Sequence, residues 1–215
     1  MSLFQHELAH VYWIGGSPCA GKSTVARRLS GEYGFRYYKC DDCYDDHMAR
    51  STAERHPAMY SIKDFTWNQV WSSKFCAEPV DRQIRDVIAV YEEQFQLILE
   101  DLLALPSDTK IVVEGAALLP SSVAPHLLHP HQGVWLFPAA EFQISHYVDR
   151  EWIGGVLKHY ENPDLAFSNW MARDIGFADE MMRRAERHEL ASVVVDGARS
   201  AEETFDFVTK HFRLK

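Results

Sequence analysis

Nine consecutive residues, GSPCAGKST from Gly16 to Thr24, combine glycines, a lysine and three hydroxyls. The pattern is one glycine, four residues, then Gly-Lys-Ser. Glycines let the backbone take turns that side chains would block, so several N–H groups can point at one anion. A helix opening near Lys22 would add its positive N-terminal end to the same place. Lys22 can then reach the β and γ phosphates of a nucleotide, and the Ser23 hydroxyl can bind Mg²⁺. The loop therefore assigns Gly16, Ser17, Pro18, Cys19, Ala20, Gly21, Lys22, Ser23 and Thr24 to phosphate binding. A glycine turn with a surface lysine is the bland alternative, and the flanking elements argue against it.

Those elements follow from the apolar runs. VYWIGG (Val11 to Gly16) reads as a buried strand that enters the loop. Val25, Leu29 and Tyr33 recur at helical spacing after it, and Gly34 is a stop. FRYYKC (Phe35 to Cys40) is a second strand, and it runs into the acidic cluster CDDCYDD. From Tyr44 to about Leu105 the pattern is mostly helical. Its clearest helix begins near Val80, where Val80, Ile84, Val87, Tyr91, Phe95, Ile98 and Leu102 form one apolar face. TKIVVEGAALLP, GVWLFP and ASVVVDG supply three more strands. IGGVLKHYENPDLAFSNW looks like a mobile connection, followed by a helix from about Ala178 to His188. AEETFDFVTKHF is a last helix.

Short apolar strands alternating with helices predict an α/β fold: a five-stranded, mainly parallel sheet in three layers, with helices on both faces. Ligands of such a sheet lie beyond the C-terminal ends of the strands. This brings the loop after the first strand near Asp41 and Asp42 after the second, and near Glu114 and Gly115 after the third.

The bulk properties set limits. The chain has 215 residues, 47% of them hydrophobic and 25% charged, and a net charge of −9. That length suits one sizeable core. The negative balance argues against general affinity for nucleic acid or an anionic membrane. No apolar run reaches the roughly 20 residues that span a bilayer. MSLFQHELAH lacks the form of a secretory signal, and the four cysteines read as reduced thiols of a cytoplasmic protein. Cys40, Cys43 and His47 are spaced C-x2-C-x3-H, which is also compatible with the start of a zinc site, with Cys76 or His56 as a further ligand.

The loop in its strand–helix setting resembles the P-loop NTPases. More narrowly, the layout is similar to their small-molecule and nucleotide kinase branch: adenylate, shikimate and gluconate kinases and chloramphenicol phosphotransferase-like proteins. The resemblance implies one kinase-like domain over 1–215, with residues 41–109 as a helical acceptor-binding insertion and 153–175 as a lid-like segment. It implies ATP and Mg²⁺, and a small-molecule or nucleotide acceptor. In such kinases an acid after the second strand orients the acceptor hydroxyl or takes its proton, a role that falls to Asp41 or Asp42. The alternative for the pair is a solvated, helix-capping turn.

Glu114 stands where many P-loop proteins carry an Asp that holds Mg²⁺ through water. The Glu is a departure, and it leaves open metal binding, by Glu114 or by Asp41, or a place for Glu114 and Gly115 in the substrate pocket. Lid arginines stabilise the moving phosphate in these kinases, which points to Arg150 and Arg173. Arg183, Arg184 and Arg187 read as a solvated face with Glu180 and Glu186. VDGARS places Gly197, Ala198 and Arg199 against the adenine by resemblance; the plainer reading is a turn with a Ser200–Glu203 capping box, and the two are compatible. Tyr60, Phe65, Trp67 and Trp71 are candidates for stacking on a ring, or for core packing, and Lys63 and Lys74 for meeting an anion. The competing functions are an NTPase or regulator with a protein partner, and a binding module without catalysis. No N-K-x-D stretch for a GTPase is present. The acceptor and the oligomeric state stay open.

Overall fold

In the computed structural model, residues 4–65, 70 and 78–214 are described. Trp67, Trp71, Lys74 and Cys76 lie outside them. VYWIGG forms β1 (Val11–Gly16), and all six residues are buried. The loop leads into α1 (Lys22–Tyr33), whose N-cap Gly21 and C-cap Gly34 are both left-handed, at φ 79° and 69°. Gly34 ends the helix as expected, with its N–H on Ser30 O at 3.1 Å.

β2 (Arg36–Lys39) follows, then a 3-10 turn over Cys40–Cys43. The insertion carries α2 (Tyr44–Arg50), α3 (Pro57–Tyr60) and the long α4 (Val80–Ala104). Then come β3 (Ile111–Glu114), the single turn α5 (Pro120–Val123) and β4 (Gly133–Pro138). The last third holds α6 (Ala140–Val148), α7 (Glu151–Leu157), α8 (Pro163–Arg187), β5 (Ala191–Val195) and α9 (Ala201–His211).

All strand pairs are parallel, and the order is β2-β3-β1-β4-β5. β1 therefore lies between β3 and β4, where the chain's path across the sheet reverses, which is where α/β sheets hold ligands. The register aligns Ile14 with Glu114, Lys39 with Glu114, and Gly16 with Leu136, so the strand ends after which the loop, Asp41 and Glu114 sit are level.

Alternation along the strands divides the core into two layers. Val11, Trp13, Ile111, Val113, Trp135 and Phe137 pack against Phe95 and Ile98 of α4 and Phe177 and Met181 of α8. Tyr12, Ile14, Val112, Val134 and Leu136 pack against Val25 and Leu29 of α1 and Phe205 and Val208 of α9. Close backbone approach fixes Gly16: at φ 119°, a Cβ there would stand 1.9 Å from Leu136 O.

Helices on both faces do not bury every strand: β5 is a sheet edge, and Val194 in its VVV run is 48% exposed. One expectation is corrected. The presumed mobile connection is helical, because α7 covers Glu151–Leu157 and α8 begins at Pro163 rather than near Ala178. Pro163 at the first turn and Asn162, whose side chain accepts from Leu165 N at 3.0 Å, start α8. The Asn-Pro pair that reads as a loop is thus a cap. Among the described residues, no helix is long and apolar enough to cross a membrane.

Candidate functional site

The loop after β1 is held from behind. Ser17 N–H donates to Leu136 O at 3.2 Å, its Oγ to Asp174 O at 3.4 Å, and Gln143 Nε2 donates to Pro18 O at 3.2 Å. Cys19 joins Gly21 in the left-handed region, at φ 68°. This alternation of hand is how successive amides come to line a concave anion seat. The α1 N-terminus has no side-chain cap, so its first amides are not committed to a side chain. Pro18 to Thr24 face a cavity of about 830 Å³. Gly16 and Ser17 do not line it; they anchor the loop to β4 and α8.

Lys22 Nζ donates to Ser17 O at 2.7 Å, so the ammonium bends over its own loop. Burial pushes its pKa down, opposed by the charges of Glu114 and Asp41. Ser23 Oγ donates to Glu114 Oε1 at 2.9 Å, and Tyr37 OH donates to the same oxygen at 2.7 Å. Burial and the Glu114 carboxylate hold the Tyr37 phenol well above its ordinary range, so it stays a donor. A hydroxyl and a carboxylate in contact offer only oxygen ligands, the set that hard cations such as Mg²⁺ take. The departure from Asp to Glu thus does not break the contact with the loop serine.

The two acids after β2 part company. Asp41 lines the cavity. Asp42 is turned outward, on Lys39 Nζ at 2.7 Å with its side chain 68% exposed, and is not among the cavity residues. The pair therefore cannot share one role.

Gly115 is also reassigned. It is buried, it does not line the cavity, and a Cβ on it would lie 2.6 Å from Cys40 Cβ and 2.8 Å from its Sγ. The position needs glycine because the 3-10 turn after β2 packs on it, not to admit a substrate. Gly115→Ala should lower stability by about 1–3 kcal/mol; a urea midpoint equal to that of the parent protein would contradict this packing account.

Arg173 lies on the buried side of α8 and is 4% exposed. Its Nε and Nη2 donate to Asp174 Oδ1 at 2.9 and 2.6 Å, and Tyr147 OH donates to Asp174 Oδ2 at 2.7 Å. It reaches the cavity as a fixed part of the wall behind the loop, not as a swinging lid residue. Arg150 also lines the cavity, half-buried, with its guanidinium 4.9 Å over the Tyr147 ring and 5.9 Å from the Trp152 ring. Arg183, Arg184 and Arg187 converge on Glu180 at 3.0, 3.0 and 3.2 Å, close to expectation, although Arg184 also reaches Glu92 at 2.9 Å and so joins α8 to α4.

Gly197, Ala198 and Arg199 are not brought into the cavity. Ala198 N–H is bonded to Asp196 Oδ1 at 2.9 Å, Arg199 sits 5.6 Å over the Phe207 ring, and the Ser200–Glu203 capping box is formed. The plain turn with its capping box is thus formed by VDGARS, a geometry compatible with either reading. Lys63 is committed to the carbonyls of Ala49 and Ser51 at 2.8 and 3.1 Å, at the end of α2. Tyr60 and Phe65 are exposed and outside the main cavity.

His47 is fully buried and bonded to Asp101 at 2.8 Å, and Cys40 is a core residue. Among the described residues, no group of three potential ligands could hold a metal ion. Burial also pushes the Cys19 thiol up, with Arg150 and Lys22 opposing and Asp174 adding to the shift.

Several cavity residues escape sequence reasoning: Arg27, Tyr44, Asp45, Gln94, Tyr147 and Asp174 among them. Arg27 had a signal, since it stands four residues after Ser23 on the same face of α1. Asp45 is one turn from Asp41. The others come from α2, α4, α6 and α8, whose meeting is a matter of tertiary packing.

No protein-family model matches the chain, and no curated protein sequence matches it. Among solved structures, shikimate kinase from Acinetobacter baumannii, in complex with shikimate, is 13% identical with a TM-score of 0.46, covering 95% of this chain and 90% of that one. A provisionally assigned kinase from Chloroflexus aurantiacus J-10-fl is 11% identical with a TM-score of 0.41, covering 94% and 97%.

Proposed function

We propose that the chain is an ATP-dependent phosphotransferase that moves the γ-phosphate of Mg-ATP to a hydroxyl or phosphate of a small molecule. One observation carries this reading. The phosphate loop, the Ser23–Glu114 contact, Asp41 and Arg150 all face one cavity, and that cavity continues past the loop between apolar and aromatic side chains of the insertion. A hydrolase needs room for water at the terminal phosphate; this site has room for a second molecule.

The parts have distinct tasks. The amides of the loop and the α1 N-terminus hold the phosphates. Ser23 and Glu114 are the residues that would hold Mg²⁺, which when bound neutralises charge on the phosphate oxygens. Lys22 exchanges its contact with Ser17 O for a phosphate oxygen. Asp41 orients the acceptor hydroxyl and takes its proton. Arg150 stabilises the equatorial oxygens of the transferring group, and Arg173 shapes the wall behind it. Catalysis is then positioning and charge stabilisation.

The test is ADP formation from Mg-ATP, alone and with nucleosides, nucleoside monophosphates, sugars, sugar acids and aminoglycoside- or phenicol-type alcohols. A strong rise with one class supports the kinase reading. Steady ADP formation that no acceptor changes would replace it with an NTPase acting on a protein partner.

A further inference from the structure

The cavity has two chemically different sides. Its cations, Lys22, Arg27, Arg150 and Arg173, come from the loop, α1 and the α6–α8 region. On the insertion side, among the described residues, Ile62, Val70, Val87 and Val90 give an apolar wall, and the charged groups there are the carboxylates of Asp41 and Asp45. A smaller pocket of about 350 Å³ shares Tyr44, Asp45, Ile62 and Val70 with it. Its one lysine, Lys63, is already bonded to two carbonyls. Among the described residues, this side offers no free cation to a phosphate or carboxylate of an acceptor.

Among the described residues, Tyr44, Tyr91 and Gln94 bring polar groups to this wall, and Gln94 is the one amide. Gln94 is 2% exposed to solvent and lines the cavity. Its orientation is set from behind. Asp101 accepts from Tyr38 OH at 2.7 Å and from Arg50 at 2.6 Å. Burial works against its charge, but with His47 these partners hold its carboxyl below the usual range.

An ionised carboxylate only accepts, so His47 Nε2, 2.8 Å from Asp101 Oδ2, carries the proton. In the neutral ring with that tautomer, the other nitrogen, Nδ1, accepts from Gln94 Nε2 at 3.4 Å. The amide nitrogen faces His47, and the amide oxygen is the atom left for the cavity. Among the described residues no protein group donates to that oxygen.

Resting on the phosphotransferase reading, we propose that the insertion side of the cavity is an acceptor subsite for a neutral or cationic, largely apolar alcohol, whose hydrogen-bond donor is read by Gln94 Oε1 beside Asp41 and Asp45. Anionic acceptors, including nucleoside monophosphates and sugar acids, are the class it rejects. A site built to pair a donor discriminates strongly, because its buried acceptor is otherwise left unsatisfied.

The test uses three probes of one shape: 4-(hydroxymethyl)benzylamine, 1,4-benzenedimethanol and 4-(hydroxymethyl)benzoate. Each is titrated into the full-length protein with saturating Mg-ADP, and binding is read by the fluorescence of Trp152 and Trp170, which line the cavity. The amine and the diol should bind saturably, at least about tenfold tighter than the benzoate, and Gln94→Leu should weaken both by about tenfold. Benzoate binding as tight as the amine, or no saturable binding of amine and diol, would overturn the proposal. So would unchanged affinities in the Gln94→Leu variant. A separate titration with fluorescent mant-ADP keeps the two readings apart: if it fails while the amine binds, the phosphotransferase reading falls and the subsite stands.

Discussion

Lys22→Ala should lower nucleotide turnover by at least about 10²–10³-fold, the range seen when a single charge-stabilising donor is removed from a transition state. The fold should survive. The side chain is buried and lines the cavity, and its hydrogen bond is to Ser17 O of its own loop. Burial disfavours the charge, so taking it away removes a desolvation cost along with a hydrogen bond. What is lost is function-specific. A polyphosphate beside Lys22 favours the charged form, and alanine leaves that charge unanswered. The measurements are ADP formation, mant-ADP affinity and the unfolding midpoint by circular dichroism. Turnover at the parent rate would end the phosphate-loop assignment. Lost turnover with a collapsed midpoint would move Lys22 from chemistry to stability.

The parts of this site that the sequence makes legible are local. β1, the loop, α1 and the Gly34 stop follow from one contiguous run, and the strand ends follow from parallel-sheet geometry. The meeting of Ser23 with Glu114 was foreseeable in outline for that reason, although 91 residues separate them. Four things were not legible, each for a physical reason. Gly115 answers to Cys40, a contact between two turns that no periodicity encodes.

The segment before Ala178 reads as a loop because Gly154, Gly155, Asn162 and Pro163 are turn residues by propensity. Packing overrides the first two, and the last two form a helix start. Arg173 reads as a free lid cation, but adjacency to Asp174 and the inward face of α8 make it half of a buried ion pair. The wall around Gln94 needs α4 to be placed against the loop after β2, and sequence spacing alone does not place it.

Asp41→Asn and Asp42→Asn should differ by orders of magnitude with a true acceptor. General-base removal costs about 10²–10⁴-fold in kcat, and that loss is expected for Asp41 alone. Asp41 shares the cavity with Lys22 and Glu114. Asp42 makes an exposed pair with Lys39, and such pairs contribute about 0–1 kcal/mol to stability and nothing to a reacting centre they do not face. The Asp42 variant should therefore keep its rate within about twofold.

The substitution is close to isosteric, so KM for Mg-ATP should hold in both, and the Asp41 loss should appear in kcat. Asp45→Asn is the necessary third arm, because Asp45 also lines the cavity, one helical turn further on and next to Tyr44. Burial and the Asp45 charge push the Tyr44 phenol up to about 12, so that hydroxyl stays protonated at neutral pH and does not serve as the base. A collapse confined to Asp45→Asn would move the base by one turn and keep the acceptor on the insertion side. Parent rates in all three variants would remove proton abstraction by a carboxylate from this site altogether.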